Sequence, residues 1–341
     1  MKSTMQALVL EAKGNLVLKE VPRPSPAAGE ALIRVKAAGI CGSDLPRVFG
    51  DIAYFYPLIP GHEFAGEVVE VGDVENKGWR GKRVTVYPLI ACGECAYCQL
   101  GWFELCENYG YVGSRRNGAW AELVTAPIAN LVELPASVSF EEGALTEPAA
   151  VALHGVRKSG IRVGEEAAVF GLGPIGILVG IWLKKAGVRF LLGLDVDQSK
   201  FKKAKEFGFD QTVNPQTKLP ARFPVVIEAS GNRLAILDAI ELVEKRGTLL
   251  LLGNQEREVV LSPQDMGKIL RKELRLQGSW NSQFSTLGSD WTAVLGMEAK
   301  KTVSLQPLVS HRLSLSQTPD FIFKMWKRQV SFYKAIITDF S

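Results

Sequence analysis

Cysteine and histidine are scarce in this chain, at five and three of 341 residues. A small, odd number of cysteines in a chain of this length excludes a disulfide-stapled scaffold, which needs paired thiols in a short secreted sequence. No cluster of Lys and Arg is interleaved with aromatic residues, and the net charge is only +4, so nothing points to a nucleic-acid partner. There is no internal repeat and no low-complexity linker. A long uninterrupted apolar run is also missing. Residues 167–183 approach the length of a membrane span, but Gly171, Gly173, Pro174, Gly176 and Gly180 break them up. A buried strand, a tight glycine turn and a buried helix describe that stretch better, and no membrane association is expected. The opening residues 1–6 lack the apolar core of a signal peptide. Together with the cysteine usage this predicts a reducing, cytoplasmic setting.

The hydrophobic fraction of 47% and charged fraction of 22% are those of a globular protein, and the length suggests two domains. Up to about residue 150, short strand-like runs (6–10, 30–37, 64–71 and 83–87) alternate with turns rich in Gly and Pro. This texture predicts an irregular β-barrel-like domain over 1–150. From 151 to about 290, strand-like runs at 167–170, 189–194, 211–213, 225–228, 248–252 and 273–277 alternate with helical stretches at 175–186, 199–207 and 233–245. Such alternation predicts an α/β, doubly wound parallel sheet. The remainder, 291–341, holds an amphipathic segment at 319–328 and a last strand at 333–338. It is too short for a domain and is expected to pack on one of the other two.

Four of the five cysteines, Cys92, Cys95, Cys98 and Cys106, fall at Cys-x2-Cys-x2-Cys-x7-Cys spacing. Thiolates so close together suit a tetrahedral Zn2+, since short Cys-x2-Cys turns aim sulfurs at one point. The lobe at about 90–108 is too small for its own core, and metal ligation would supply the missing stabilisation. A four-cysteine iron–sulfur cluster uses the same ligand type.

Gly171-Leu172-Gly173-Pro174-Ile175-Gly176 is a Gly-x-Gly-x-x-Gly between an apolar strand and a helix. In that setting the glycines make the turn, admit a pyrophosphate to the backbone and allow close helix packing. Nineteen residues beyond Gly176, Asp195 ends the next strand-like run, where an acid binds ribose hydroxyls. A carboxylate there repels a 2′-phosphate, and Val196 offers no arginine to receive one, so NAD is expected rather than NADP. Asp197 reads as a helix N-cap, and Lys200 is a candidate neighbour of the adenosine ribose.

The remaining cysteine, Cys41, lies at a strand end before a turn, and His62 in Gly61-His62-Glu63 lies on another turn. Together, in the domain next to a dinucleotide site, they suggest an open catalytic Zn2+. His154 and His311 carry no local signal of chemistry.

Residues 39–44, 61–72, the cysteine lobe and the glycine motif follow the order found in zinc-dependent medium-chain dehydrogenases, a resemblance that spans essentially the whole chain. The resemblance implies a GroES-like catalytic domain, a Rossmann domain and a C-terminal segment returning to the catalytic domain. It also implies two Zn2+ per chain, one catalytic and one structural, and assembly as a homodimer or homotetramer. Leu145-Thr146-Glu147-Pro148 is similar to the family version in which glutamate is the third metal ligand, so Glu147 is expected in that role, with Glu63 able to replace it or exchange with it. The implied reaction is oxidation of a secondary alcohol with hydride transfer to NAD+, zinc acting as Lewis acid. Ser43, two residues after Cys41, is placed to relay the proton.

Within the family, residues 41–47, 113–118, 269–274 and 278–280 resemble members that oxidise hexitol phosphates. This implies galactitol 1-phosphate as substrate and tagatose 6-phosphate as product. Pro46 stands where many relatives carry a histidine, which removes one common proton route. An anionic substrate gives Arg47, Arg115, Arg116 or Arg271 a purpose, because guanidinium forks match phosphate geometry. Sorbitol-type or threonine-type dehydrogenases share the same metal and cofactor residues, and a non-catalytic dinucleotide-binding protein is the alternative outside enzymes.

Overall fold

A computed structural model describes residues 3–216, 222–255, 257–285 and 288–340. The chain forms two compact units, Met1–Glu147 with Gln283–Ser341, and Pro148–Ser282. Among the described residues no helix is long and apolar enough to cross a membrane.

In the first unit a seven-stranded sheet runs in the order Val309–Ser314, Lys334–Asp339, Glu30–Gly39, Phe64–Val71, Arg83–Val86, Leu131–Glu133, with Leu123–Pro127 also paired to Glu30–Gly39. Alternating burial along Glu30–Gly39 places Ile33 and Val35 in the core and Arg34 and Lys36 in solvent, as a half-buried strand requires. The C-terminal strand enters this sheet through antiparallel pairs Ile336↔Gly39 and Ile337↔Ala38. The return to this unit begins at Gln283, ahead of the change in texture near 291. The reason is the tiny hairpin Phe284–Ser285 with Gly288–Ser289, too short to register as strand in the sequence. Phe284 packs against Tyr87 at 4.7 Å between ring centroids.

The second unit is a six-stranded parallel sheet in the order Gln211–Val213, Phe190–Leu194, Glu166–Phe170, Phe223–Glu228, Val243–Leu251, Arg275–Gly278. In chain order this is 3-2-1-4-5-6, with the strand order reversing between Glu166–Phe170 and Phe223–Glu228, where doubly wound sheets take their ligands. The helix expected over 233–245 stops at Leu242. Val243, a β-branched residue, instead pairs with Phe223, so the strand begins five residues before the expected run at 248–252. Glu147 lies in the interior of the helix Phe140–Ser159, directly before Pro148.

One buried acid in the first unit bears on stability. Glu298 lies on the helix Asp290–Ala299, is 5% exposed, and neither carboxylate oxygen has a hydrogen-bond partner. Burial, with repulsion from Glu142, pushes its pKa up to about 9. Below pH ~4.5 the group is protonated in both folded and unfolded chains and costs nothing. Between there and pH 9 the unfolded chain ionises and the folded one does not, so stability falls as pH rises. Glu298→Gln is expected to remove this slope and to stabilise the protein at pH 8 by on the order of a few kcal/mol. Urea midpoints at pH 5, 7 and 9 check it; parallel curves for the two proteins would refute the assignment.

Candidate active site and metal centres

The lobe cysteines converge. The four sulfurs lie within 4.8 Å of one another, with Cys92 and Cys98 sulfurs 3.9 Å apart. A tetrahedron with Zn–S bonds of about 2.3 Å has sulfur–sulfur edges of about 3.8 Å, so the set fits one zinc ion. An iron–sulfur cluster has to be enclosed by sulfurs standing further apart, and that option falls away. The turn geometry also prepares thiolates. The Cys92 N–H donates to the Cys106 sulfur at 3.2 Å, and the Cys95 N–H to the Cys92 sulfur at 3.4 Å. Backbone N–H groups of Glu107 and Cys98 bring the Cys95 thiol down to about 6, whereas burial pushes Cys98 up to about 12. A two-stranded ribbon, Leu89–Ile90 with Gly110–Tyr111, closes the lobe.

The second cluster is built by sheet register. Cys41 follows the strand Glu30–Gly39, and His62 and Glu63 precede its antiparallel neighbour Phe64–Val71. One ligand atom from each of Cys41, His62 and Glu63 lies within 4.8 Å of the others. Gly39 is required here, because a Cβ at that position would overlap the Glu63 carboxylate. Burial, then the Glu63 charge, pushes the Cys41 thiol up to about 12. Glu147, 6% exposed, is raised to about 7 by burial first, with His62 opposing and Glu63 adding to the shift. Glu147 is outside the three-residue cluster but beside it, and accepts from the Tyr111 hydroxyl at 3.5 Å. The His62 Nδ1 atom is buried without a hydrogen-bond partner, while both Glu63 oxygens face the Lys334 ammonium. A thiol, an imidazole with an unmet buried nitrogen and two carboxylates form a donor set that a zinc ion satisfies.

Three neighbours have no role assigned by the linear sequence. Lys334, on the last strand, is 3% exposed and ion-paired with Glu63 from 271 residues away. Burial works against its ammonium, but Glu63 and Cys41 outweigh burial and raise its pKa. Removing one partner of such a buried pair strands the other charge. Asp44, fully buried, accepts from the Cys41 backbone N–H at 2.9 Å, and its Oδ1 lies 3.6 Å from His62 Nδ1. It orients both residues. The Tyr111 ring stacks edge-on to His62 at 5.7 Å. A hydrophobic residue pattern cannot show that a late lysine will face Glu63; only the strand pairing does.

Ser43 precedes the helix Asp44–Phe49, and its side chain makes no capping bond there. Arg47 is buried and bonded to Asp44 and to the Ser43 carbonyl. Arg116 donates to Glu30 at 2.8 Å and Thr125 at 2.9 Å, and lines a cavity of ≈ 460 Å³ bordered by none of the metal-cluster residues. His154 is buried on its helix, and His311 is next to Ser310 and Phe321.

In the second unit, Gly171 takes φ +88° at the end of its strand, and a Cβ on Gly176 would overlap the Gly171 carbonyl oxygen. A Cβ on Gly173 would instead point into open space, at the first turn of the helix Pro174–Lys185. That is the shape a pyrophosphate needs at a helix N-terminus, and Pro174 and Ile175 continue the cradle. The Asp195 carboxylate is held by the Leu172 N–H at 2.8 Å, the Asp197 N–H at 2.8 Å and Lys200 at 3.0 Å. Asp197 caps the next helical turn by accepting from the Ser199 N–H at 3.0 Å. Lys200 is thus the ion-pair partner of Asp195.

Comparison with known proteins gives a consistent outcome. Residues 27–136 match the family described as alcohol dehydrogenase GroES-like domain, and residues 174–316 match zinc-binding dehydrogenase. Galactitol 1-phosphate 5-dehydrogenase of Escherichia coli (strain K12) is 32% identical over 83% of this chain and 85% of its own. The crystal structure of galactitol-1-phosphate dehydrogenase from Escherichia coli superposes with a TM-score of 0.90 at 27% identity, over 98% of this chain and 100% of that one. Sorbitol dehydrogenase of Halalkalibacterium halodurans is 33% identical over 92% of this chain and 94% of its own. A zinc-binding dehydrogenase structure from Sinorhizobium meliloti 1021, bound to NADP, has a TM-score of 0.89 at 32% identity, covering 99% and 100%.

Proposed function

The chain belongs to the zinc-dependent medium-chain dehydrogenases, in their polyol dehydrogenase branch, and from that premise we propose that it oxidises a hexitol phosphate, galactitol 1-phosphate to tagatose 6-phosphate. Its cofactors are NAD and zinc, the latter at two sites per chain. The observation that carries the substrate reading is that the same galactitol-phosphate relative matches in both sequence and fold.

In this reading the lobe zinc, held by Cys92, Cys95, Cys98 and Cys106, is closed to substrate. The catalytic zinc would be held by Cys41, His62 and a glutamate. Charge balance supports Glu147 as that ligand: Lys334 already neutralises Glu63, so the Cys41 thiolate and Glu147 balance the dication. When bound, zinc supplies the Lewis acidity that makes the substrate hydroxyl acidic near neutral pH, and NAD+ supplies the hydride acceptor. Asp44 holds the Cys41 backbone N–H and faces the His62 ring, and Tyr111 donates to Glu147. Ser43, with no capping bond to lose, relays the proton outward. Asp195 takes the ribose hydroxyls and its charge disfavours a 2′-phosphate.

The edge strand Arg275–Gly278 is exposed along its length, with Leu276 and Trp280 presenting apolar surface. This supports a homodimer or homotetramer formed through the sheet edge. Sulfurs committed to thiolate ligation suit the reducing cytoplasm.

The test is NADH formation from galactitol 1-phosphate, galactitol, sorbitol and L-threonine under identical conditions. The phosphorylated hexitol is expected to have a kcat/KM higher by about 10²-fold or more, since charge-assisted hydrogen bonds to a phosphate are worth about 1.5–3 kcal/mol each. Equal or better turnover of free sorbitol overturns the substrate assignment and favours the sorbitol-type activity of the second relative.

A further inference from the structure

The metal cluster accounts for one hydroxyl of a substrate and leaves open what reads its charged end. Of the three arginines near the N-terminal candidate residues, two are already spent: Arg47 on Asp44, and Arg116 on Glu30 and Thr125. Arg115 is different. Its guanidinium carbon lies 4.6 Å from the centre of the Tyr54 ring and 4.2 Å from that of Tyr109. One terminal nitrogen donates to the Tyr109 carbonyl at 3.2 Å, the other to the Tyr54 hydroxyl at 3.2 Å. Among the described residues its polar partners are the Tyr109 carbonyl and the Tyr54 hydroxyl, with no carboxylate. Its charge is thus clamped, exposed and uncompensated.

The clamp also has an address. Tyr109 is 6.3 Å from Tyr111, whose ring is 5.7 Å from His62 and whose hydroxyl reaches Glu147. A continuous run of aromatic rings within one unit therefore links the fixed cation to the metal cluster. Tyr54 belongs to a stretch, Tyr54 to Tyr56, whose three aromatic side chains are all exposed, as the rim of a binding site is. A guanidinium has five N–H donors, and two are used here, leaving a fork for an oxyanion. Held between two rings, it loses little further freedom on binding.

Resting on the dehydrogenase reading above, we propose that Arg115, clamped by Tyr54 and Tyr109, is the specificity residue that binds the phosphomonoester end of the substrate while the metal cluster holds the hydroxyl to be oxidised. A polyol phosphate carries its charge at one end and its reacting carbon towards the other, and this placement separates the two recognition tasks. Arg116, its neighbour in sequence, has no part in it.

The experiment compares wild type, Arg115→Ala, Arg115→Lys and Tyr54→Leu as zinc-loaded enzymes. Retention of two zinc ions per chain and of NADH binding shows that each variant is folded. The ratio of kcat/KM for the phosphorylated hexitol to that for the free hexitol should fall by about 10- to 100-fold in Arg115→Ala. Smaller falls are expected in Arg115→Lys, which keeps the charge but loses the fork, and in Tyr54→Leu, which opens the clamp. Inorganic phosphate, added as a probe, should compete with substrate in wild type and lose that effect in Arg115→Ala. A ratio unchanged within about twofold, with phosphate inhibition intact, overturns the role of Arg115. A wild-type enzyme indifferent to the substrate's phosphate fails the hexitol-phosphate reading instead, and Arg115-dependent inhibition by inorganic phosphate would then still support the anion site.

Discussion

Cys41→Ala is expected to lower kcat for alcohol oxidation by on the order of 10³-fold or more, with dinucleotide affinity changed less than about twofold. Loss of a metal ligand removes a Lewis acid worth several kcal/mol of charge stabilisation, and each 1.36 kcal/mol is tenfold in rate. The local backbone should survive the change, since Asp44 holds the Cys41 N–H rather than its side chain. The ion pair of Glu63 with Lys334 likewise does not involve the sulfur. The cofactor cradle, Gly171 to Gly176 with Asp195, is built from residues of the other unit. Zinc per chain should fall from two to one, while NADH fluorescence titration gives an unchanged midpoint. Full turnover with one zinc lost would remove Cys41 from the mechanism. A wild-type protein with one zinc and no alcohol-dependent NADH formation would identify a dinucleotide-binding protein without catalysis.

Cys98→Ser should act on the fold instead. The lobe has only two short helical turns, Ala96–Gln99 and Phe103–Leu105, and leaves Tyr97, Leu100, Trp102 and Leu105 substantially exposed. So little apolar burial cannot hold it closed, and structural zinc is worth about 10–16 kcal/mol in small zinc domains near neutral pH. Without it the lobe should open locally and not take the whole chain with it. Proteolytic cleavage within residues 93–105 is expected to accelerate by on the order of 10³-fold or more, with one zinc lost per chain. If zinc falls to one and cleavage stays slow, the lobe is held by packing and the metal is incidental to its stability.

How much of this could be read before the fold was known depends on sequence distance. The Rossmann strands were legible as apolar runs because parallel strands are buried on both faces. The hairpin at 284–289 and the early end of the helix at Leu242 were not, because two-residue strands leave no periodicity and Val243 tips from helix to sheet through a partner, Phe223, far along the chain. The third metal ligand remained open between Glu63 and Glu147 for the same kind of reason. Proximity groups Glu63 with Cys41 and His62, and only the ion pair to Lys334 supplies the charge accounting that supports Glu147.

By itself the sequence determined the sulfur cluster and the glycine cradle. In both, ligands a few residues apart are placed by their own turns, and no distant partner is needed. Tertiary structure decided which charges are spent. Arg47, Arg115 and Arg116 look alike in the chain, yet one is buried on Asp44, one is paired with Glu30, and one stands unpaired between two tyrosines. Side-chain direction alternates along a strand, so a shift of one residue in register would turn Lys334 away from Glu63. Such long-range pairings are set by the packing of whole sheets, and no local pattern of residues encodes them.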